Sequence, residues 1–434
     1  MGYWSELWAW ILRDPGKLIR YLVLFVCSII VIVQLSDCFS KLYNPPISTH
    51  SYFNLNDTME MPAVTICRDP PYKEDVLNNL SRGECPHPKY VTCWNKYPFN
   101  ELEIDEFFKN STFDFEETFL GEQYGLDGLA ENLEITSRLH FYLGRCFTLK
   151  PKVELKRTTR TSGYSLMLTH HINSGTNTDM MEENPGWHIY IHDYRHNFTE
   201  LNVKGSARTE YIFAEIDEDI EIKLQSQQFK NIESRDAPCS SSINYSDMEC
   251  AELCVFQDLA TESNCTGPWM NGVAQNPCNN SKSMRNLIKN YGVYYDSEED
   301  IECDCKRPCD ARIYSTFIQS RKTLHSGQRY TQIWVYYSTK LVTMIEERLS
   351  YDTTQFIADI GGSLGFLLGL SVLGLIGILE HLTLFFCGGL IKKQLKHEKQ
   401  LQDEAERQSQ RSDTTDTTLD MSTISKDNEK CMKF

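Results

Sequence analysis

A few groups of residues have the types and spacing to do chemistry. Cys303-Asp304-Cys305-Lys306-Arg307-Pro308-Cys309, with Cys250 and Cys254 one helical turn apart and Cys265 and Cys278 between, could hold zinc as thiolates or close disulfides. Asp359 and Glu380 bracket a charge-free run, Ile360 to Leu379, of roughly the twenty residues that cross a bilayer. Burying a carboxylate at membrane depth costs about 2.5 kcal/mol or more, so such groups face water or an ion pathway. His170-His171 could bind a metal or titrate near neutrality; the plainer alternative is a solvated loop beside a strand end. The acidic runs Asp217-Glu218-Asp219 and Ser297-Glu298-Glu299-Asp300 suit either proton-binding clusters or solvated faces. No nucleophile, base and orienter set stands out, which argues against an enzyme, and no cofactor or metal is expected.

The surrounding chain must place these groups. It has 434 residues and a net charge of -17, which argues against nucleic acid as a partner. Twelve of its sixteen cysteines lie between two apolar runs: Cys67, Cys85, Cys93, Cys146, Cys239, Cys250, Cys254, Cys265, Cys278, Cys303, Cys305 and Cys309. An even number confined to one segment points to disulfides in an oxidising compartment, and so away from zinc. Seven Asn-x-Ser/Thr sequons, at Asn56, Asn79, Asn110, Asn197, Asn244, Asn264 and Asn279, fall in the same interval. Trp4, Trp8 and Trp10 with Arg13, Lys17 and Arg20 precede the first run, and Lys392, Lys393, Lys396 and Lys399 follow the second.

These signals give one topology: a cytosolic start over 1–17, a first span over 18–43, an extracellular domain over 44–353, a second span over 354–391 and a cytosolic, disordered tail over 392–434. Within the extracellular part, alternation predicts strands at Trp187–His192, Ile212–Ile216, Ile220–Leu224 and Tyr164–Thr169, and a further strand over Met59–Cys67. Short helices are expected at Asp247–Leu259 and Thr339–Ser350. Glycine recurs at 361, 365 and 369 in two overlapping small-xxx-small repeats that let helices approach closely, and Gly361, Gly362 and Gly365 are the expected helix-packing positions.

The run Asp359-Ile360-Gly361-Gly362 through Gly365 to Gly369-Leu370-Ser371 closely resembles the second transmembrane helix of the epithelial sodium channel/degenerin family, which includes the acid-sensing channels. Met61–Cys67 is similar to the segment after that family's first span, and Gly144–Thr148 and Pro185–His192 look like its palm-domain landmarks. In pattern and length the chain is similar to the arthropod pickpocket branch. The resemblance implies an α+β membrane protein: two transmembrane helices flanking a large disulfide-rich extracellular domain with a β-sheet palm and a helical thumb. It implies the pairs Cys67 with Cys146, Cys239 with Cys309, Cys250 with Cys305, Cys254 with Cys303 and Cys265 with Cys278, leaving Cys85 with Cys93. It also makes Gly369, Leu370 and Ser371 the selectivity filter, where rings of carbonyls and hydroxyls from three subunits replace part of a cation's hydration shell. Asp359 would then ring the pore mouth and Glu380 the lower pore.

The implied function is a subunit of a homo- or heterotrimeric plasma-membrane cation channel, sodium-permeable, blocked by amiloride and gated through its extracellular domain. Sodium ions and membrane lipid are the expected partners. Ala237-Pro238 precede Cys239 where acid-sensing members carry a tryptophan, and two further departures from the family pattern bear on the pore: residues 1–20 hold no His-Gly pair, and Gly377 stands where an acidic residue is usual. These favour the alternative of a non-conducting accessory or receptor-like subunit. An ATP-gated purinergic channel shares two spans and a cysteine-rich exterior, but the filter tripeptide and the Cys303–Cys309 cluster argue against it.

Overall fold

The computed structural model describes residues 15–81, 91–170, 185–200, 208–234, 237–296, 303–324, 329–368 and 377. Two compact units emerge, residues 47–348 and the segments on either side of them. In the second unit, helix α1 (Pro15–Tyr43) contains one stretch, Phe25–Tyr43, long and apolar enough to cross a membrane. It is the one such stretch among the described residues. The last helix, α7, runs for 16 described residues, Thr353–Leu368. That rise is about 24 Å, short of the roughly 30 Å hydrocarbon core. The rest of the second span expected over 354–391, Gly377 excepted, lies outside the described residues.

The unit over 47–348 begins with β1 (Ile47–Leu55), β2 (Ala63–Asp69), α2 (Glu74–Leu80), a 3-10 turn (Val91–Lys96), α3 (Ile104–Ser111), α4 (Phe115–Thr118), β3 (Phe119–Leu126), β4 (Leu133–His140) and β5 (Gly144–Pro151). It continues with β6 (Tyr164–Thr169), β7 (Gly186–His192), β8 (Glu210–Glu215), β9 (Glu218–Lys230) and β10 (Cys239–Ser240). Helices α5 (Asp247–Ser263) and α6 (Ser281–Asp296) follow, then β11 (Arg307–Pro308), β12 (Asp310–Thr323) and β13 (Tyr330–Leu349), which leads after a short connection to α7 (Thr353–Leu368).

Two sheets carry the core. One is ordered β12-β9-β13-β6-β3, with β1 also paired to β13; the other is ordered β4-β5-β2-β7-β8. Along β9, Ile220, Ile222 and Leu224 are buried and the residues between them less so, the period of two that a half-buried strand requires. Strand β2 is buried on both faces from Ala63 to Arg68; its one hydroxyl, Thr65 Oγ1, is satisfied by Thr148 Oγ1 at 2.8 Å and His192 Nε2 at 2.9 Å. Aliphatic side chains from both sheets meet around Trp187, Ile189, Ile222 and Val335 in one core cluster. A second cluster is rich in aromatic rings, among them Trp94, Phe108, Phe141, Trp269 and Tyr291, and joins α3, α5 and α6.

The strands expected from alternation appear within β6, β7, β8 and β9, the Met59–Cys67 segment becomes β2 from Ala63, and α5 extends the expected helix to Ser263. Thr339–Ser350 is a different matter, because up to Leu349 it is the second half of β13 and not a helix. Its long side chains at helical spacing are overruled by the ladder to β9, which pairs Val342 with Ser226 through Glu346 with Lys230. Between Tyr337 and Val342 the register shifts: five steps of β13 match two of β9, which hides the alternation. Helix α6 was not anticipated, although Met284, Leu287, Ile288 and Tyr291 are buried at i, i+3, i+4 and i+7.

Candidate functional site

Asp359 lies on α7, where its Oδ1 accepts from Gln355 Nε2 at 2.8 Å. Asp352 caps the same helix, with Oδ1 accepting from the Gln355 N–H at 2.8 Å. Helices α1 and α7 touch through Phe39 and Phe356, whose rings meet edge-on at 5.2 Å. A Cβ added at Gly361 or Gly362 would meet nothing within 4 Å, so packing within this chain does not require glycine there. Gly365 lies on the same helix. Gly369, Leu370, Ser371 and Glu380 lie outside the described residues.

The end of β13 gathers more interactions. Successive residues of a strand face opposite ways, and here two adjacent carboxylates use both faces. Glu346 accepts from Tyr52 Oη of β1 at 2.8 Å, Lys230 Nζ of β9 at 3.2 Å and Arg348 Nη2 at 3.0 Å. Those three donors, Tyr52 foremost, hold its carboxyl down at about 2. Glu347 receives both arms of Arg307, at 3.1 and 2.9 Å, and the Ile232 N–H at 2.9 Å. Burial pulls the Glu347 carboxyl up, but these donors outweigh it and leave it below its ordinary value. The bidentate arrangement fixes direction as well as distance. Arg307 sits between Cys305 and Cys309, so the base of the disulfide-linked region is gripped by the strand that precedes α7.

That region is braced covalently. Cys250 and Cys254 project from one face of α5 and bond to Cys305 and Cys303, so the two rungs run antiparallel. Cys239 bonds to Cys309 beside the parallel β10–β11 pair, and Cys265 to Cys278 across the Thr266–Pro277 bridge. Cys67 and Cys146 are direct cross-strand partners in β2 and β5 and are bonded to each other. The sulfurs of the Cys303–Cys309 cluster are therefore spent in disulfides rather than available as thiolates. Cys85 lies outside the described residues, so its pairing with Cys93 is not described.

His170 does not lie in a solvated loop. It is 4% exposed, its Nδ1 lies 3.1 Å from Arg68 Nη2 and its Nε2 lies 3.2 Å from the Asp69 carbonyl. The Arg68 guanidinium in turn lies 3.6 Å from the centre of the Phe113 ring. Burial, helped by the Arg68 charge, pushes the His170 imidazole down to about 3, so it is neutral through the physiological range. His140 and His192 are likewise buried and held at about 3 and about 4. His171 lies outside the described residues. The run Asp217-Glu218-Asp219 is neither a carboxylate cluster nor a fully solvated face: Glu218 pairs with Arg321 at 3.3 Å and Asp219 with Arg160 at 3.6 Å. The run from 297 to 300 is not described.

Among the sequons, Asn79, Asn110, Asn244, Asn264 and Asn279 are exposed and Asn56 is half-buried. Asn197 is occupied: its Oδ1 accepts from Lys150 Nζ at 3.1 Å, its Nδ2 faces Glu249 Oε2 at 3.5 Å, and Thr199 of the same sequon is fully buried.

A helix long and apolar enough to cross a membrane leads into a disulfide-braced α+β unit whose last strand runs into a second apolar helix. A family model described as amiloride-sensitive sodium channel matches residues 11–381, and the chain belongs to that family. Its members are ion channels, not enzymes. Pickpocket protein 19 of Drosophila melanogaster is 25% identical over 156 residues, which are 32% of this chain. This chain covers 30% of that relative's own length. A proton-activated chloride channel solved by cryo-EM aligns over 86% of this chain and 99% of its own at 8% identity, with a TM-score of 0.33, too low to decide anything.

Proposed function

We propose that this chain is a subunit of a trimeric plasma-membrane cation channel, sodium-permeable and blocked by amiloride, opened through its extracellular domain. The observation that carries this reading is the family match over residues 11–381, which takes in both apolar runs and everything between. In this reading both termini are cytosolic, sodium crosses at Gly369, Leu370 and Ser371, and Asp359 and Glu380 draw cations to the two sides of the filter. Gly361, Gly362 and Gly365, which this chain's own packing leaves uncovered at the first two positions, would face the helices of neighbouring subunits. The thumb is α5 and α6 with their disulfides. Its movement would reach the pore through the Arg307–Glu347 pair and β13, while Tyr52 and Glu346 tie β1, which follows the first span, to the same strand end.

The test is whole-cell current from the chain expressed alone, with sodium replaced by an impermeant cation and amiloride applied. Sodium-dependent, amiloride-blocked current supports the reading, and Ser371→Trp should abolish it or change its permeability ratio. Silence from protein that reaches the surface would favour the accessory subunit, a reading supported by Gly377. Current restored by a related partner would then establish that alternative.

A further inference from the structure

The connection after β7 carries a carboxylate, Glu200, with no ion-pair partner among the described residues. Glu200 is 2% exposed, and its carboxylate accepts from three consecutive backbone N–H groups in the β4–β5 turn: Phe141 at 3.3 Å, Tyr142 at 2.6 Å and Leu143 at 3.3 Å. A fourth donor is the Tyr291 hydroxyl of α6. Three successive N–H groups make an anion cradle, and here the anion is a side chain from another segment. The backbone of that segment is held from the opposite side by α5. Glu252 Oε1 accepts from the Glu200 N–H at 3.0 Å and Glu249 Oε1 from the Asn197 N–H at 2.6 Å. Glu249 and Glu252 are three residues apart, on the helix whose Cys250 and Cys254 carry two of the disulfide rungs. On its other side the turn opens into β5, whose Cys146 is bonded to Cys67 of β2, the strand that follows β1.

We infer that Glu200 is a positioning residue that couples the disulfide-braced helices to the sheets: a displacement of α5 or α6 reaches β5 and β2 through its carboxylate. The inference rests on the gating reading for its use, but the contact chain does not depend on it. Covalent links lie at both ends of this chain, at Cys250 and Cys254 and at Cys67–Cys146, so the hydrogen bonds of Glu200 are its breakable middle. Aromatic packing of Phe141 and Tyr142 on Tyr291, at 5.2 and 5.7 Å between ring centres, keeps water from competing for those bonds. A helix–sheet contact made only of apolar surface could slide; one closed on three backbone donors of a tight turn has a single register.

The test is a double-mutant cycle in the full-length protein, read by hydrogen exchange at residues 141–143. One perturbation is Glu200→Gln, which turns an amide donor toward donors. The other removes a rung with Cys254→Ser and Cys303→Ser together. Each alone should raise exchange at 141–143 by about tenfold, while β7 stays protected. In the Glu200→Gln background, rung removal should add less than about twofold, because the connection is already cut. Effects that simply multiply, or a turn whose exchange ignores the rung, would overturn the inference. If Glu200→Gln fails to fold, Tyr291→Phe removes one of the four donors and reports the same cycle at smaller amplitude. Where current is measurable, rung removal should change its time course in the parent and not in the Glu200→Gln chain. A chain that shows the exchange coupling but carries no current when expressed alone would retain the coupling and favour the accessory-subunit reading.

Discussion

The two core clusters of residues 47–348 are built on different principles. Between the sheets, side chains such as Val64, Ile189, Ile222 and Val335 are fully buried, and stability comes from apolar area and ladder hydrogen bonds. Around α5 and α6 the core is aromatic, and disulfides and buried carboxylates add to it. The sheet half is therefore a scaffold whose contacts are many and redundant. The helical half depends on a few discrete ties, and discrete ties can be switched.

The largest effect should come from opening the sheet core. Trp187 is fully buried, so Trp187→Ala should cost about 3–5 kcal/mol and lower the melting of both halves, as followed by denaturant unfolding. A helical region that kept its full stability in that variant would break the view of the sheets as scaffold. Removing the Cys254–Cys303 rung, which closes a separation of 49 residues, should cost about 2–4 kcal/mol. That loss should appear in an exchange map in α5, α6 and the 141–143 turn that Glu200 ties to them, with β7 unchanged.

Breaking the strand-end clamp should be milder. Arg307 and Glu347 are partly exposed, so Arg307→Ala is expected to cost about 1 kcal/mol or less in global stability. It should nevertheless raise exchange at Glu346 and Glu347 and, in an active channel, alter opening; unchanged opening would remove the clamp from the pathway.

The smallest effect distinguishes the two halves by the sign of their pH dependence. His170 is held at about 3, below its ordinary value, by burial and the Arg68 charge. Its contribution is whole above about pH 6.5 and is lost as pH falls toward 3. Glu252 is raised to about 7 by burial, with Glu200 and Glu249 raising it further and Arg138 and the Glu200 N–H opposing. Its contribution is whole below about pH 4.5 and is lost as pH rises through 7. Local exchange, corrected for its intrinsic pH dependence, should show the ends of β2 and β6 around His170 loosening in acid and α5 loosening above neutrality. His170→Gln should flatten the first slope and Glu252→Gln the second; equal slopes in both halves would undo the contrast.

Much of this was legible because it is local or compositional. Apolar runs, sequons and cysteine positions mark compartments, and strict alternation marks β9, since each depends on neighbours in sequence. The five described disulfides are those the family resemblance implied. The strand over Thr339–Leu349 is not legible locally, because a bulge and a parallel partner more than a hundred residues away decide its state. His170 and Glu200 carried no sequence signal for their roles. An imidazole stays neutral well into the acid range only once burial and the Arg68 charge disfavour its protonation, and a glutamate ties two subdomains only once a distant turn aims three N–H groups at it. The sequence by itself determined the family, the apolar runs and where covalent crosslinks can form, because these are properties of residue type and spacing. Only the tertiary structure decided which carboxylates are buried, which are paired and which segments they join, because desolvation and hydrogen-bond geometry exist only after distant segments have met.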